Sequence, residues 1–336
     1  MTTYILGAGA SYHAGYPLCA DLWSRMAAWV IKTEPPESEY LKAIRTVNTL
    51  AKPIVDVEQV FTDLDLGQGA FCTFTHGERE KLEGRIRQSL RAFFLSIHPQ
   101  NLTASLYADL VRRIATGDAL ITFNYDVALE NELIHAQKFR IRNGYGRGFE
   151  ADWDEPGSDV TVLKLHGSIN WVGSLFGGAR GGHFGQFYSS LGPRPFVDNT
   201  DLAFPDYPKA ILDKSFPCGG VLDGAPTLLL PTYEKQFFVQ TSVGKEWIPF
   251  YMSLRSQASE FLEDSERVLI IGYSMPAADR EAAALILSRS SKCAAVFVCC
   301  ASSNESLAAR FRDRGFLHVH QIGGFAEWLL DPRSTQ

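Results

Sequence analysis

Short, unbroken apolar runs punctuate the chain, and most of them stop at a glycine or a small polar residue. Tyr4-Ile5-Leu6 runs into Gly7-Ala8-Gly9-Ala10-Ser11. Residues 119–123 run to Asn124, 160–165 to His166, 268–271 to Gly272, and 295–300 to Ala301-Ser302. A shorter run at 227–230 is closed by Pro231, and 318–322 reads as an edge strand. Continuous runs, as opposed to alternating ones, suit strands covered on both faces. Helical patterns follow at 126–136, 277–288 and 303–312, the last with Ser302 or Ser303 as an N-cap. This alternation predicts an α/β fold, a doubly wound and mostly parallel sheet built from βαβ units.

Two segments break the alternation. Residues 18–115 are mostly helical by pattern, with an amphipathic helix expected at 78–94 whose charged face is solvated. Residues 173–225 are rich in Gly, Pro and aromatics, the pattern of a loop-rich insertion. The expected organisation is a sheet domain assembled from 1–17, 116–172 and 226–336, a helical lobe or lid at 18–115, and the insertion at 173–225.

Composition narrows the classes without changing this picture. A 336-residue chain that is 46% hydrophobic and 21% charged is ordinary for a packed protein, which excludes a disordered or collagen-like chain. Its net charge of −6 disfavours generic nucleic-acid binding, because neutralising phosphates needs a basic surface. The six cysteines include no C-x-x-C pair, so no zinc ribbon or other metal site is expected. No leader-like opening and no apolar stretch near the ~20 residues of a membrane span is present, so a cytoplasmic protein is expected.

Ligands of open parallel sheets bind beyond the carboxyl ends of the strands, and that is where this chain concentrates its polar residues. Gly7, Ala8, Gly9 and Ser11 form either a tight turn or a phosphate cradle, in which glycine lets the backbone approach a pyrophosphate. Tyr12 stands where a full G-x-G-x-x-G would place its third glycine, and no acidic residue follows about 20 positions on, which disfavours an ordinary nicotinamide dehydrogenase. Thr122, Asn124 and Asp126 alternate, so they share one face at a strand end. Asn124 is either a turn former or an amide that orients a water or a ribose hydroxyl, and Asp126 is either a helix cap or an acceptor for a carboxamide. His166 stands at a strand end beside Gly167, and an imidazole near pKa ~6.5 suits proton transfer at neutral pH. Gly272, Ser274, Ser302 and Asn304 follow two further strands.

These strings, taken in order, resemble the sirtuin family. Gly7-Ala8-Gly9-Ala10-Ser11 with Gly15-Tyr16-Pro17 is similar to the sirtuin GAG-x-S turn and G-x-P. Thr122-Phe123-Asn124-Tyr125-Asp126 resembles T-x-N-x-D, His166-Gly167 the catalytic histidine–glycine, and Gly272-Tyr273-Ser274 the later G-x-S loop. The run from Val296 to Ser302, ending before Asn304, lies where sirtuins hold the adenosine ribose. Within the family, Asn124-Tyr125-Asp126, Leu165-His166-Gly167-Ser168 and Leu230-Pro231-Thr232-Tyr233-Glu234-Lys235 are similar to the divergent bacterial sirtuin-like domain of anti-phage defence systems. Val57-Glu58-Gln59-Val60-Phe61 is similar to a short helical motif in that branch's lid. The chain lacks the cysteine pairs of the sirtuin zinc, and Leu18-Cys19-Ala20-Asp21 follows Pro17 where the deacylases continue to F-R.

The resemblance implies a Rossmann-like, sirtuin-type fold that binds NAD+ as substrate and cleaves its nicotinamide–ribose bond. The defence branch implies water as acceptor, so the expected activity is that of an NAD+ glycohydrolase, a gated effector that depletes NAD. Asn124, His166 and Asp126 are the expected catalytic residues. Gly7, Ala8, Gly9, Ser11, Thr122, Gly272, Ser274, Ser302 and Asn304 are the expected NAD contacts. A homo-oligomer and a defence partner, a ring-forming ATPase or an Argonaute-type protein, are implied as well. The competing expectations are a non-catalytic NAD or ADP-ribose sensor, and an NAD-dependent deacylase or ADP-ribosyltransferase.

Overall fold

The computed structural model describes residues 1–50, 57–97, 106–141, 143–146, 157–172, 196–197, 226–228, 242–276, 279–288, 292–301 and 304–331. Six strands form the main sheet: β1 (Thr2–Leu6), β2 (Ala119–Thr122), β3 (Thr161–Lys164), β7 (Arg267–Ile271), β8 (Ala295–Cys299) and β9 (Val319–Gln321). Their order is β3-β2-β1-β7-β8-β9, and every neighbouring pair is parallel. Tyr4 pairs with Leu120 on one side and Leu269 on the other. Tyr4, Ile5 and Leu6 are all buried, as are Leu120, Ile121 and Thr122, so both faces of the sheet are covered. This is the physical reason the strands read as unbroken apolar runs. The edge strand expected at 318–322 is β9.

A second sheet has no counterpart in the sequence reading. β4 (Gly167–Val172) pairs antiparallel with β5 (Phe196–Val197) and β6 (Pro226–Leu228). The run at 227–230 therefore contributes to this small sheet and not to the main one. Only Leu165 and His166 separate β3 from β4, and Gly167 turns the corner at φ 81°. His166 thus sits where the chain leaves one sheet for the other.

The long helical segment contains helices at Cys19–Thr33, Glu39–Leu50, Val57–Leu66, His76–Ile97 and Tyr107–Arg113. Leu22, Trp23, Met26, Ala27 and Val30 recur at helical spacing and are buried. Trp23 meets Phe61 edge-on at 6.2 Å. The helix expected to begin at Glu78 begins at His76, because Thr75 and Glu78 form a capping box. The Thr75 N–H donates to Glu78 Oε2 at 2.7 Å, and the Glu78 N–H returns to Thr75 Oγ1 at 3.4 Å. Phe94 stacks on Tyr16 and meets Tyr125 edge-on, tying this lobe to the loop after β2. Most of the insertion at 173–225 lies outside the described residues. No helix among the described residues is long and apolar enough to cross a membrane.

Candidate functional site

Counted by appearance within the main sheet, the strand order is 3-2-1-4-5-6. The chain builds outward from β1 in one direction and from β7 in the other. The switch point between β1 and β7 is where such sheets open a crevice for ligands. A cavity of about 870 Å³ lies there, within the roughly 300–1,000 Å³ range of small-molecule sites.

The first wall is the turn after β1, a short helix Ala8–Ser11 followed by a 3-10 turn at Tyr12–Ala14. The Gly9 N–H donates to Gly272 O at 2.9 Å and the Gly7 N–H to Ile271 O at 3.0 Å, while the Ala10 N–H closes on Gly7 O at 2.8 Å. Gly272 stands at φ 62°, and a Cβ there would lie 2.2 Å from Ala10 N. The two glycine turns therefore interlock backbone against backbone. Two amides of the expected phosphate cradle, those of Gly7 and Gly9, serve this packing, and the Ala8 N–H takes no part in those bonds. Ala8, Gly9 and Ser11 line the cavity.

The second wall comes from β2. Asn124 is buried, and its Nδ2 donates to Gly7 O at 2.9 Å and to Ser11 Oγ at 3.0 Å. A carbonyl acceptor at Gly7 fixes which end of the amide is nitrogen. With both amide protons engaged, Asn124 Oδ1 is the end that can accept from a ligand. Ser11 Oγ also pairs with Tyr107 OH at 2.8 Å, a buried phenol whose pKa burial holds well above its ordinary value. Sequence reading missed Tyr107, which carried no signal beyond its place in a helical pattern. Asp126 Oδ1 accepts from the Ala128 N–H at 3.1 Å, at the start of the helix Ala128–His135. One oxygen of Asp126 therefore supports that helix, and the residue also lines the cavity. Thr122 Oγ1 accepts from the Asn124 N–H at 3.1 Å, so Thr122 shapes the loop from beneath.

A buried ion pair holds this wall. Lys164 Nζ donates to Glu130 Oε1 at 2.7 Å and to the backbone carbonyl of Asp126. Burial raises the pKa of Glu130, and the Lys164 charge opposes that rise. Tyr145 OH donates to Glu130 at 3.3 Å, and Asn170 Nδ2 to Tyr145 OH at 3.0 Å, which extends the network into β4. Ser168 joins this network through Asn170.

His166 forms the third wall. Its Nε2 lies 3.4 Å from Asp279 Oδ1, and its ring meets the edge of Phe123 at 4.9 Å. Tyr273 donates to Asp279 Oδ2 at 2.9 Å and stacks on Phe123 at 4.2 Å with 10° between the planes. Asp279 and Tyr273 are the site residues that sequence reading missed. Asp279 fell inside the helix expected at 277–288, and Tyr273 occupied a variable position of its motif.

Beyond Gly272, Ser274 and the end of β8 at Cys299, Cys300 and Ala301 line the far end of the cavity. Asn304 is not among the cavity's lining residues. Its Oδ1 accepts from the Cys300 N–H at 2.6 Å and its Nδ2 donates to Ile322 O at 2.8 Å, which ties three chain segments together. Ser302 lies outside the described residues, as do the expected motif at 230–235 and residues 277–278 beside Asp279. Among the described residues, no group of three His, Cys, Asp or Glu side chains comes together as a metal site.

The fold and cavity define a doubly wound α/β domain with a crevice at its switch point. No family model matches the chain, and no curated protein matches it. Among solved structures, it is similar to a Sir2 variant with a deacetylated p53 peptide and 3′-O-acetyl ADP-ribose. That pair is 13% identical, covers 98% of this chain and 91% of the other, and has a TM-score of 0.43. A second structure, described as a structural basis for the mechanism and regulation of Sir2 enzymes, is 14% identical, covers 99% and 90%, and has a TM-score of 0.42. Likeness at this level concerns the arrangement of elements alone.

Proposed function

We propose that this chain binds NAD+ at the β1/β7 switch point and hydrolyses its nicotinamide–ribose bond. The observation that carries the reading is the convergence of Asn124, Asp126 and His166, from two separate motifs, on one cavity beside the Ala8–Ser11 turn. Nicotinamide departs as a neutral amide and needs little acid catalysis, so the site has to hold the ribose, expose its anomeric carbon and place a water. Asn124 Oδ1 accepts from that water or from a ribose hydroxyl. His166 is the base, and Asp126 receives the carboxamide. Ala8, Gly9 and Ser11 face the pyrophosphate, while Gly272 and Ser274 face the adenosine half, for which the sequence resemblance also implies Ser302. Asn304 acts on that half through Cys300.

The resemblance of Asn124-Tyr125-Asp126 and Leu165-His166-Gly167-Ser168 to the defence branch supports a role in anti-phage defence, where loss of NAD would halt an infected cell. An enzyme of that kind has to be gated, and a homo-oligomer or a defence partner such as a ring-forming ATPase or an Argonaute-type protein would supply the gate. The helical lobe at 18–115 is the proposed lid.

The test incubates the purified chain with NAD+ over a range of protein concentrations, with light scattering on the same samples, and separates nicotinamide from ADP-ribose by chromatography. Equal amounts of both products are expected. Asn124→Ala should slow their release by about 10²–10³-fold. His166→Ala should slow it by about 10²–10⁴-fold. Variants that match the wild-type rate contradict the assignment, and tight binding of NAD+ with no product at any concentration favours a sensor.

A further inference from the structure

We propose that Asp279 is the positioning residue of His166: its buried carboxylate holds the imidazole in the Nε2–H tautomer and leaves Nδ1 as the nitrogen that takes a proton from the attacking water. This rests on the hydrolytic reading above and extends it to a residue outside the sirtuin-like motifs.

Asp279 occupies the N-cap of the helix Arg280–Ile286, yet its side chain makes no capping bond. It is 4% exposed, and a carboxylate so placed is costly unless charge or hydrogen bonds compensate it. Its two oxygens face the site. Oδ2 accepts from Tyr273 OH at 2.9 Å, and Oδ1 lies 3.4 Å from His166 Nε2. That second distance is long for a hydrogen bond, and such bonds at reactive sites commonly tighten when substrate binds. Phe123, stacked on Tyr273, also meets the imidazole in a T-shaped contact at 4.9 Å, which packs the His166 ring beside the carboxylate's own partner. Other ionisable groups around the pair are Arg310, which acts on Tyr273 and donates to Met275 O, and Glu58, Cys19 and Asp126 of the cavity wall.

In the hydrolytic step, the water oxygen bonds to C1′ as the C1′–N bond breaks. The bonding pair leaves with nicotinamide, which departs neutral. The proton of the water passes to His166 Nδ1 and then to solvent, while Asp279 holds the Nε2 proton and stabilises the imidazolium. A carboxylate in this relation to a histidine orients the ring without itself taking up the proton.

The experiment compares wild type with Asp279→Asn and Asp279→Glu. In Asp279→Asn the amide accepts from Tyr273 and turns its NH₂ toward His166, which forces the opposite tautomer. Its kcat should fall by about 10²–10⁴-fold with the KM for NAD+ near wild type, and Asp279→Glu should recover part of the loss. The acid limb of the kcat/KM profile should move to lower pH wherever activity remains. Nitrogen-15 NMR of the histidines, read without any turnover, should show His166 as the Nε2–H tautomer in wild type and as Nδ1–H in Asp279→Asn. If wild type hydrolyses NAD+ and Asp279→Asn does so equally fast, the positioning role is overturned and the hydrolytic reading stands. If wild type hydrolyses nothing, the hydrolytic reading fails, and the NMR result alone decides whether Asp279 sets the tautomer. An unchanged tautomer overturns the proposal in either case.

Discussion

Asn124 carries fold and chemistry at once. Its amide bridges the turn after β1 to the loop after β2, so its removal leaves Gly7 O and Ser11 Oγ without a donor. Each lost bond costs about 1 kcal/mol, so the activity of Asn124→Ala has to be read beside its measured stability. His13 shows the same coupling of packing and charge. Its ring lies edge-on to Tyr107 at 5.0 Å and to Phe325 at 5.5 Å, and burial pulls its pKa below the ordinary 6.5. A depressed folded-state pKa means that the unfolded chain protonates first. The stability tied to neutral His13 is therefore fully present above pH 6.5 and is lost as pH falls from there through the lower folded-state value. Urea midpoints measured across that window should decline less steeply in His13→Phe than in wild type. Equal slopes contradict the role given to this ring.

At the scale of elements, the interlocked turns set the geometry of the crevice. Gly272→Ala puts a methyl 2.2 Å from Ala10 N and 2.4 Å from Gly9 C, at φ 62°, where side chains are strained. The expected cost exceeds about 2 kcal/mol in urea unfolding, together with weakened NAD+ binding. A variant of wild-type stability would mean that the turns do not pack as described. The strands of the main sheet were legible in sequence because burial on both faces makes them continuous apolar runs. Helix ends were less so: the helix expected at 126–136 is Ala128–His135, since Asp126 supports its start from outside, and that expected at 277–288 is Arg280–Ile286. β4 was not legible, because Gly167-Ser168 reads as a motif and its pairing partners lie far along the chain.

At the scale of the whole molecule, the candidate site is a product of strand order. The 260 residues from Gly7 to Glu266 separate β1 from β7 in sequence, yet the carboxyl ends of the two strands form one crevice, into which β2 and the β3–β4 corner bring Asn124 and His166. Asn124, Asp126 and His166 were legible because they follow apolar runs. Asp279 and Tyr107 were not, because their roles depend on which elements the fold sets side by side. The helical lobe reaches the same crevice through Phe94, which lines it and stacks on Tyr16 of the segment after β1. The most direct measurement is a crystal structure of the His166→Ala variant with NAD+ bound. The account predicts the pyrophosphate against the Ala8–Ser11 turn and the nicotinamide ribose beside Asn124 and the place vacated by the imidazole. A dinucleotide bound outside the β1/β7 crevice, or with its adenosine at Asn124, would contradict it.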